Sequence, residues 1–597
     1  MAKKKDTQQL TIGFDMTDEF VPSKYQQDIF DFIENGSGNL VVEACAGSGK
    51  TTTIMESLRH IPSDKRILLT CFNKSIQENL SAKVSKGGFN NVEAATLNSL
   101  GLRVLRKNTG RGYRVEKDKY RNYLNENIRR LSSVNYEDFP KRIQMIYRET
   151  IIDKFLSLGR NFMVDSIDGM TKIAKMYGIE PLADEMEVAL KLMKWGYEKT
   201  YDTIDFDDQI WLPLVYNLDF SDFNFDFIMV DEVQDLNVFQ RELILRCRHE
   251  GTRIIAVGDQ NQCIYGFRGS DPRSFDEFRN MPNTTTLPLS ICYRCADSIV
   301  DNAKNFVPSI EHNNDGRKGL IVKDARLSDV RDGDMILCRN NAPLFDIFVT
   351  FVSSNRPCRF VDDGSTLKTL RDKINDVTRK YKTRMLSASL MSDGLFPRLY
   401  DELLSEIHMM MDSYGIPFEE ATERDDIKKS IERIIMIEVL AKGLTTIDEL
   451  NRRLDNLKQL SNGNEGPILS TIHKAKGLEN DRVFIACNSI MPLKSAKHEW
   501  EKLQEHNLQY VAYTRAKNML AYLEEDVNSY VKSNTIPADH LKHIEGLIKP
   551  VIDGARKMPK TITPRPTRTV DINQMPSLAG TLNNVVQYRK KRKNGKS

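Results

Sequence analysis

Asn39-Leu40-Val41-Val42-Glu43-Ala44-Cys45-Ala46-Gly47-Ser48-Gly49-Lys50-Thr51-Thr52 is the stretch that decides the fold class. Its first five residues read as a buried strand, and a helical run from Thr52 to Leu58 follows the glycines. Strand, glycine loop and helix in that order are the P-loop context of an α/β protein. Gly47 and Gly49 let the backbone curl so that its N–H groups face phosphates, and the helix N-terminus adds a favourable dipole. Ala46 through Thr52 are the expected nucleotide contacts. Lys50 is expected on the β- and γ-phosphates, and Thr51 on Mg²⁺. Ala44 stands where the motif's first glycine is usual, and its small side chain still suits a crowded turn.

Two later strand ends complete a catalytic set. Phe225–Val230 reads as a buried strand ending in Asp231-Glu232-Val233-Gln234-Asp235. An Asp at such an end suits Mg²⁺, and an adjacent Glu suits the attacking water. Arg253–Val257 is another buried strand, followed by Gly258-Asp259-Gln260-Asn261-Gln262-Cys263-Ile264-Tyr265-Gly266-Phe267-Arg268-Gly269. Asp259 and Gln262 suit a phosphate and its water, whereas Tyr265, Phe267 and Arg268 suit stacked bases. One segment thus faces a nucleotide at one end and a nucleic-acid strand at the other. Guanine specificity is not expected, because Asn73-Lys74-Ser75-Ile76 lacks the Asp of an Asn-Lys-x-Asp element.

The 597 residues suffice for roughly three or four domains. Hydrophobic residues at 40% and charged residues at 28% fit a soluble globular protein. No apolar run is long enough for a bilayer, and no signal peptide is read, so a cytoplasmic, soluble protein is expected. Nine scattered cysteines suit a reducing compartment, and the lone Cys292-x-x-Cys295 lacks a second pair for zinc. A net charge of +3 does not advertise a polyanion, so any nucleic-acid surface must be a local groove.

Taken in order, these segments resemble the superfamily 1 DNA helicases of the UvrD/Rep/PcrA type. Pro22–Gln26 resembles the Q motif, which implies that Gln26 reads adenine. Thr70–Lys74, with Phe72 and Asn73, resembles motif Ia, and Thr96–Gly101 resembles motif Ib, where Asn98 replaces a frequent His. The family contacts single-stranded DNA in this region. Gly258–Gly269 resembles motif III, which usually has Trp at Phe267 and Ser at Cys263. Leu289–Arg294 resembles motif IV, with Cys292 in place of a common Asn. It implies Tyr293 stacked on adenine and Arg294 on the γ-phosphate. Ile336–Ala342 resembles a further family strand element. Ser470–Glu479 resembles motif V, implying Thr471 and His473 on the DNA backbone and Glu479 on ribose. Gln509–Lys517 resembles motif VI, with Arg515 as the second γ-phosphate arginine.

The fold then implied is α/β, with two RecA-like parallel-sheet motor domains and mainly helical insertions. The first motor domain (1A) is expected at 1–105 plus 200–285, with its insertion (1B) at 106–199. The second (2A) is expected at 286–375 plus 465–550, with a 2B insertion at 376–464 that is shorter than the family's. Residues 551–597 read as a flexible basic tail. Arginines supplied across a cleft make hydrolysis depend on domain closure. The resemblance implies an ATP- and Mg²⁺-dependent DNA helicase moving 3′→5′ on single-stranded and partially duplex DNA, in a bacterial or phage-infected cell. Replication or repair proteins are expected partners. The alternatives are a translocase that strips proteins from DNA, a non-catalytic nucleic-acid-binding protein, and an RNA-directed motor.

Overall fold

The computed structural model describes residues 20–523 apart from 72–73, 134–150, 180, 182–183, 199–201, 272, 355, 362–364, 387–393, 415, 423, 462–464 and 495. Phe72, Asn73 and the basic tail therefore lie outside the described residues.

The first sheet has six parallel strands: β1 (Asn39–Ala44), β2 (Ile67–Cys71), β3 (Val92–Thr96), β4 (Phe225–Val230), β5 (Arg248–Gly258) and β6 (Thr284–Leu289). Their order is β3-β2-β4-β5-β1-β6. The central strands are apolar almost throughout because both faces are covered. Leu40, Val42, Met229, Ile255 and Val257 pack with Ile29, Phe30 and Ile54 on one face. Val41, Ile228, Val230, Ile254 and Ala256 pack with Phe239, Leu243 and Phe275 on the other. β4, β5 and β1 are consecutive neighbours. Their carboxyl ends therefore bring Asp231, Asp259 and the glycine loop to one edge, where open α/β sheets bind ligands.

The second sheet is also six-stranded and parallel: β7 (Leu320–Ala325), β8 (Met335–Cys338), β9 (Arg359–Phe360), β10 (Ile468–Thr471), β11 (Asn480–Ile485) and β12 (Ala516–Leu523). Its order is β7-β12-β11-β8-β10-β9. β8 and β10 are buried along their whole length. These two sheets are the two RecA-like motor domains.

Each sheet is interrupted by a helical insertion. Between β3 and β4 lie the helices Lys119–Leu131, Asp153–Asn161, Ile167–Met176 and Glu185–Glu198. Between β9 and β10 lie Ser365–Tyr381, Leu395–Tyr414, Asp425–Ala441 and Ile447–Ser461. Three expected boundaries fall inside elements: the helix Leu97–Thr109 runs through 105, β6 pairs with β1 past 285, and the helix Ser365–Tyr381 runs through 375. Continuous backbone hydrogen bonding carries each element across the expected border. Among the described residues no helix is long and apolar enough to cross a membrane.

Candidate functional site

The glycine loop is held by close packing. Gly47 and Gly49 have φ of +70° and +79°, and Gly49 is the N-cap of the helix Lys50–Ser57. A Cβ on Gly47 would sit 2.6 Å from Arg294 Cβ, so Gly47 is required by space as well as by φ. Tyr293 N–H donates to Gly47 O at 2.9 Å, which ties the bend after β6 to the loop. Ser48 Oγ is buried without a hydrogen-bond partner among the described residues, and a phosphate oxygen would satisfy it.

The acids gather opposite. Lys50 Nζ lies 3.0 Å from Glu232, and Thr51 Oγ1 lies 3.4 Å from Asp231 Oδ2. Glu232 has φ +53°, a strained left-handed conformation that turns its carboxylate toward Lys50. Burial works to raise the Glu232 carboxyl, but Lys50 and then Lys476 outweigh it and draw it down to about 2. Burial, with Glu232 next, pushes Asp231 up to about 6. Two neighbouring carboxyls thus differ in proton affinity because Glu232 holds the lysines. Thr51 and Asp231 offer hard oxygens of the kind Mg²⁺ prefers.

A hydrogen-bond chain runs from there to the second sheet. Gln234 Nε2 donates to Glu232, and Gln234 Oε1 accepts Asp259 N–H at 3.1 Å. Gln262 Nε2 donates to Asp259 Oδ2 at 2.7 Å, and Gln262 Oε1 accepts Arg515 Nη2 at 3.3 Å. Arg515 is 1% exposed, and its other partners are Val511 O, Leu478 O and Thr514 Oγ1. Among the described residues no carboxylate pairs with it. Burial, with Arg294 next, brings its pKa down to about 9. Arg294 itself pairs with Glu479 at 2.6 Å and donates to Thr514 O at 3.2 Å. The expected ribose carboxylate and the expected γ-phosphate arginine therefore bind each other here.

Gln26 is buried and occupied at both ends. Its Oε1 accepts Ser23 N–H in a capping box, and its Nε2 donates to Thr53 Oγ1 at 3.1 Å. Gln26 and Tyr293 both flank Gly49, at 3.8 and 3.9 Å from its Cβ position. Thr52 is partly exposed in the first turn of the helix.

The other end of the turn Asp259–Gly269 faces solvent. Phe267 is 47% exposed, and the Arg268 guanidinium lies 5.5 Å from the Tyr265 and Phe267 rings. Phe267 meets the His473 ring edge-on at 5.5 Å, and Tyr265 OH donates to His473 O at 3.1 Å. Burial, with Arg339 and Arg268 next, pushes His473 down to about 3, so it is a neutral ring at physiological pH. Thr471 is buried at the end of β10. Thr96 caps the helix Leu97–Thr109 by accepting Ser99 N–H. Nearby Asn98 donates to Phe206 O at 2.7 Å, and the Phe206 ring is 58% exposed. Sequence reading passed over Phe206. Its signal was an aromatic set among Asp205, Asp207 and Asp208, a place where no core residue is expected.

Residues 25–283 match the UvrD/REP helicase N-terminal domain, and residues 363–523 match the UvrD-like helicase C-terminal domain. The chain belongs to the UvrD/Rep/PcrA family of superfamily 1 helicases. It is 26% identical over 515 residues to F-box DNA helicase protein 1 of Schizosaccharomyces pombe, covering 81% of this chain and 55% of that protein. It is 26% identical over 309 residues to ATP-dependent DNA helicase PcrA of Leuconostoc citreum, covering 47% of this chain and 38% of that one. With PcrA of Staphylococcus aureus strain Mu50 it is 24% identical over 662 residues, covering 89% of this chain and 87% of the relative. The chain thus spans about half or less of the first two relatives and most of the third. Both halves of the family pattern meet at the cleft: the lysine and acids come from the strand ends of the first sheet, Arg294 from the segment between the two sheets, and Arg515 from the turn just before β12 of the second.

Proposed function

We propose that this helicase hydrolyses ATP with Mg²⁺ to move 3′→5′ along single-stranded DNA and to unwind duplex DNA in replication, repair or recombination. The observation that carries the reading is Arg515. A fully buried guanidinium without an anionic partner is costly. It is tolerable where an anion arrives in the working cycle, and the γ-phosphate is that anion. The polarity and the DNA substrate rest on family membership.

The chain's residues divide the work. Gly47, Ser48, Gly49, Lys50 and Thr52 cradle the phosphates, with Gln26 and Tyr293 on the adenine side. Thr51 and Asp231 would hold Mg²⁺, which supplies charge neutralisation between the phosphates when bound. Glu232, kept ionised by Lys50 and Lys476, orients the attacking water and receives its proton. Gln262 holds its place between Asp259 and Arg515. Arg294 and Arg515 stabilise charge on the transferring phosphoryl group, so hydrolysis requires the two motor domains to close. Tyr265, Phe267, Arg268 and His473 grip the strand by stacking, and Phe206 joins them near Thr96. Phe72, Asn73 and Thr471 are assigned to the same strand.

ATP hydrolysis with and without single-stranded DNA, with Lys50→Ala as control, tests the proposal. Strong stimulation that the variant loses supports it, and tailed duplexes then give the polarity. Stimulation by RNA alone would replace the substrate. Displacement of bound protein without unwinding would leave a translocase.

A further inference from the structure

The second motor domain grips the turn Asp259–Gly269 by its backbone as well as by its side chains. Lys476 Nζ donates to Gln262 O at 2.7 Å and to Asp235. Asn507 Nδ2 donates to Cys263 O at 3.0 Å and to Gln260 O at 3.4 Å. Asn507 lies on the helix Glu499–Tyr513, which runs directly into Thr514 and Arg515. Trp500, Gln504 and Asn507 are spaced to share one face of that helix. Trp500 Nε1 donates to Met176 O at 2.7 Å. Gln504 packs so closely on Gly266 that a Cβ there would overlap it, and Trp500 would stand 3.2 Å from that Cβ. Near the end of the helix the Tyr510 hydroxyl accepts Ala46 N–H of the glycine loop at 2.8 Å. One helix therefore touches the DNA-side turn, the nucleotide loop and the first insertion, and its last turn leads to the γ-phosphate arginine.

Asn507 is an unusual choice for this position. It is 1% exposed, and its Oδ1 is buried with no hydrogen-bond partner among the described residues. An orphaned buried acceptor is destabilising, and an apolar side chain of similar shape would remove the penalty. What the amide supplies is the pair of donated bonds to Gln260 O and Cys263 O, which bracket Gln262.

We propose that Asn507 is the positioning residue that couples strand binding to hydrolysis. It fixes the carbonyls around Gln262 to the helix that carries Arg515. A shift of Tyr265 or Phe267 on binding a strand then moves Gln262 and Arg515 as one unit. This rests on the motor reading above and deepens it.

The test compares wild type with Asn507→Leu in the full chain. It measures ATP hydrolysis without DNA, the maximal rate with oligo-dT, the oligo-dT needed for half stimulation and the KM for ATP. The expected result is an unchanged basal rate, KM and half-stimulating concentration, with the stimulated rate lowered about tenfold for two lost neutral hydrogen bonds. Equal stimulation in the variant would overturn the proposal. So would a parallel fall in basal and stimulated rates, which marks a purely structural role. Asn507→Ala, which leaves room and has no donor, gives the same reading if the leucine does not fold. Wild type without any stimulation would overturn the motor reading and this inference together, whereas a stimulated wild type with an equally stimulated variant would overturn this inference alone.

Discussion

Arg160 and Arg515 are both almost fully buried, and they are partnered in opposite ways. Arg160, in the first insertion, is 4% exposed and meets Asp205 at 2.8 Å, Asp207 at 3.1 Å and Asp208 at 3.2 Å. Its guanidinium also lies 4.6 Å from the Tyr120 ring. Asp208 is shared with Lys119 and Tyr120. Among the described residues Arg515 is hydrogen-bonded to neutral oxygens only. A saturated buried cation fastens elements together, whereas an unsaturated one waits for a ligand. Burial alone does not separate the two roles; the count of anions around the charge does.

The comparison is broken most directly at Arg515. Arg515→Ala is expected to slow ATP hydrolysis by about 10³–10⁵. Its melting temperature should hold or rise, because an uncompensated buried charge is removed. A large loss of stability with retained turnover would make Arg515 a structural residue like Arg160. Next comes the converse. Arg160→Ala leaves three carboxylates facing one another and should cost about 3–5 kcal/mol in urea unfolding. The protein that remains folded should keep its specific activity, and lost activity at full stability would contradict the assignment.

Two smaller effects sharpen the exposed end. Phe267→Ala should weaken oligo-dT binding by about 1–3 kcal/mol, the usual worth of one base stack, with Phe206→Ala expected in the same range. Unchanged binding in either would show a ring packed only on its neighbours. The smallest effect concerns His473. Its folded pKa is depressed to about 3, while the unfolded imidazole titrates in the ordinary range. Between those values the unfolded chain binds the extra proton, so stability is lost as pH falls through that window. His473→Gln should flatten this slope of stability against pH, and an unaltered slope would mean that His473 does not titrate there.

The parts legible in the sequence are those whose chemistry is local. The glycine loop needs consecutive residues to curl a backbone, so Gly47, Gly49, Lys50 and Thr51 announce themselves. Strands buried on both faces read as continuous apolar runs, which is how β1, β4 and β5 stood out. The helical insertions were expected from the family resemblance. Lys476 and Asn507 were not legible as interdomain contacts, because their partners lie 214 to 247 residues away. Nor did the family pattern indicate that Arg294 pairs with Glu479, or that Gln26 is already bonded to Thr53. Such pairings depend on which side chains the fold places within hydrogen-bonding reach.

The sequence by itself therefore determined the fold class and the family, because strand periodicity and phosphate-loop chemistry are properties of short segments. Tertiary structure alone decided which of two buried arginines has no carboxylate paired with it among the described residues, which aromatic rings face solvent, and which helix joins the turn Asp259–Gly269 to Arg515. Burial and charge pairing are properties of neighbours in space, and the neighbours that matter here come from different sheets.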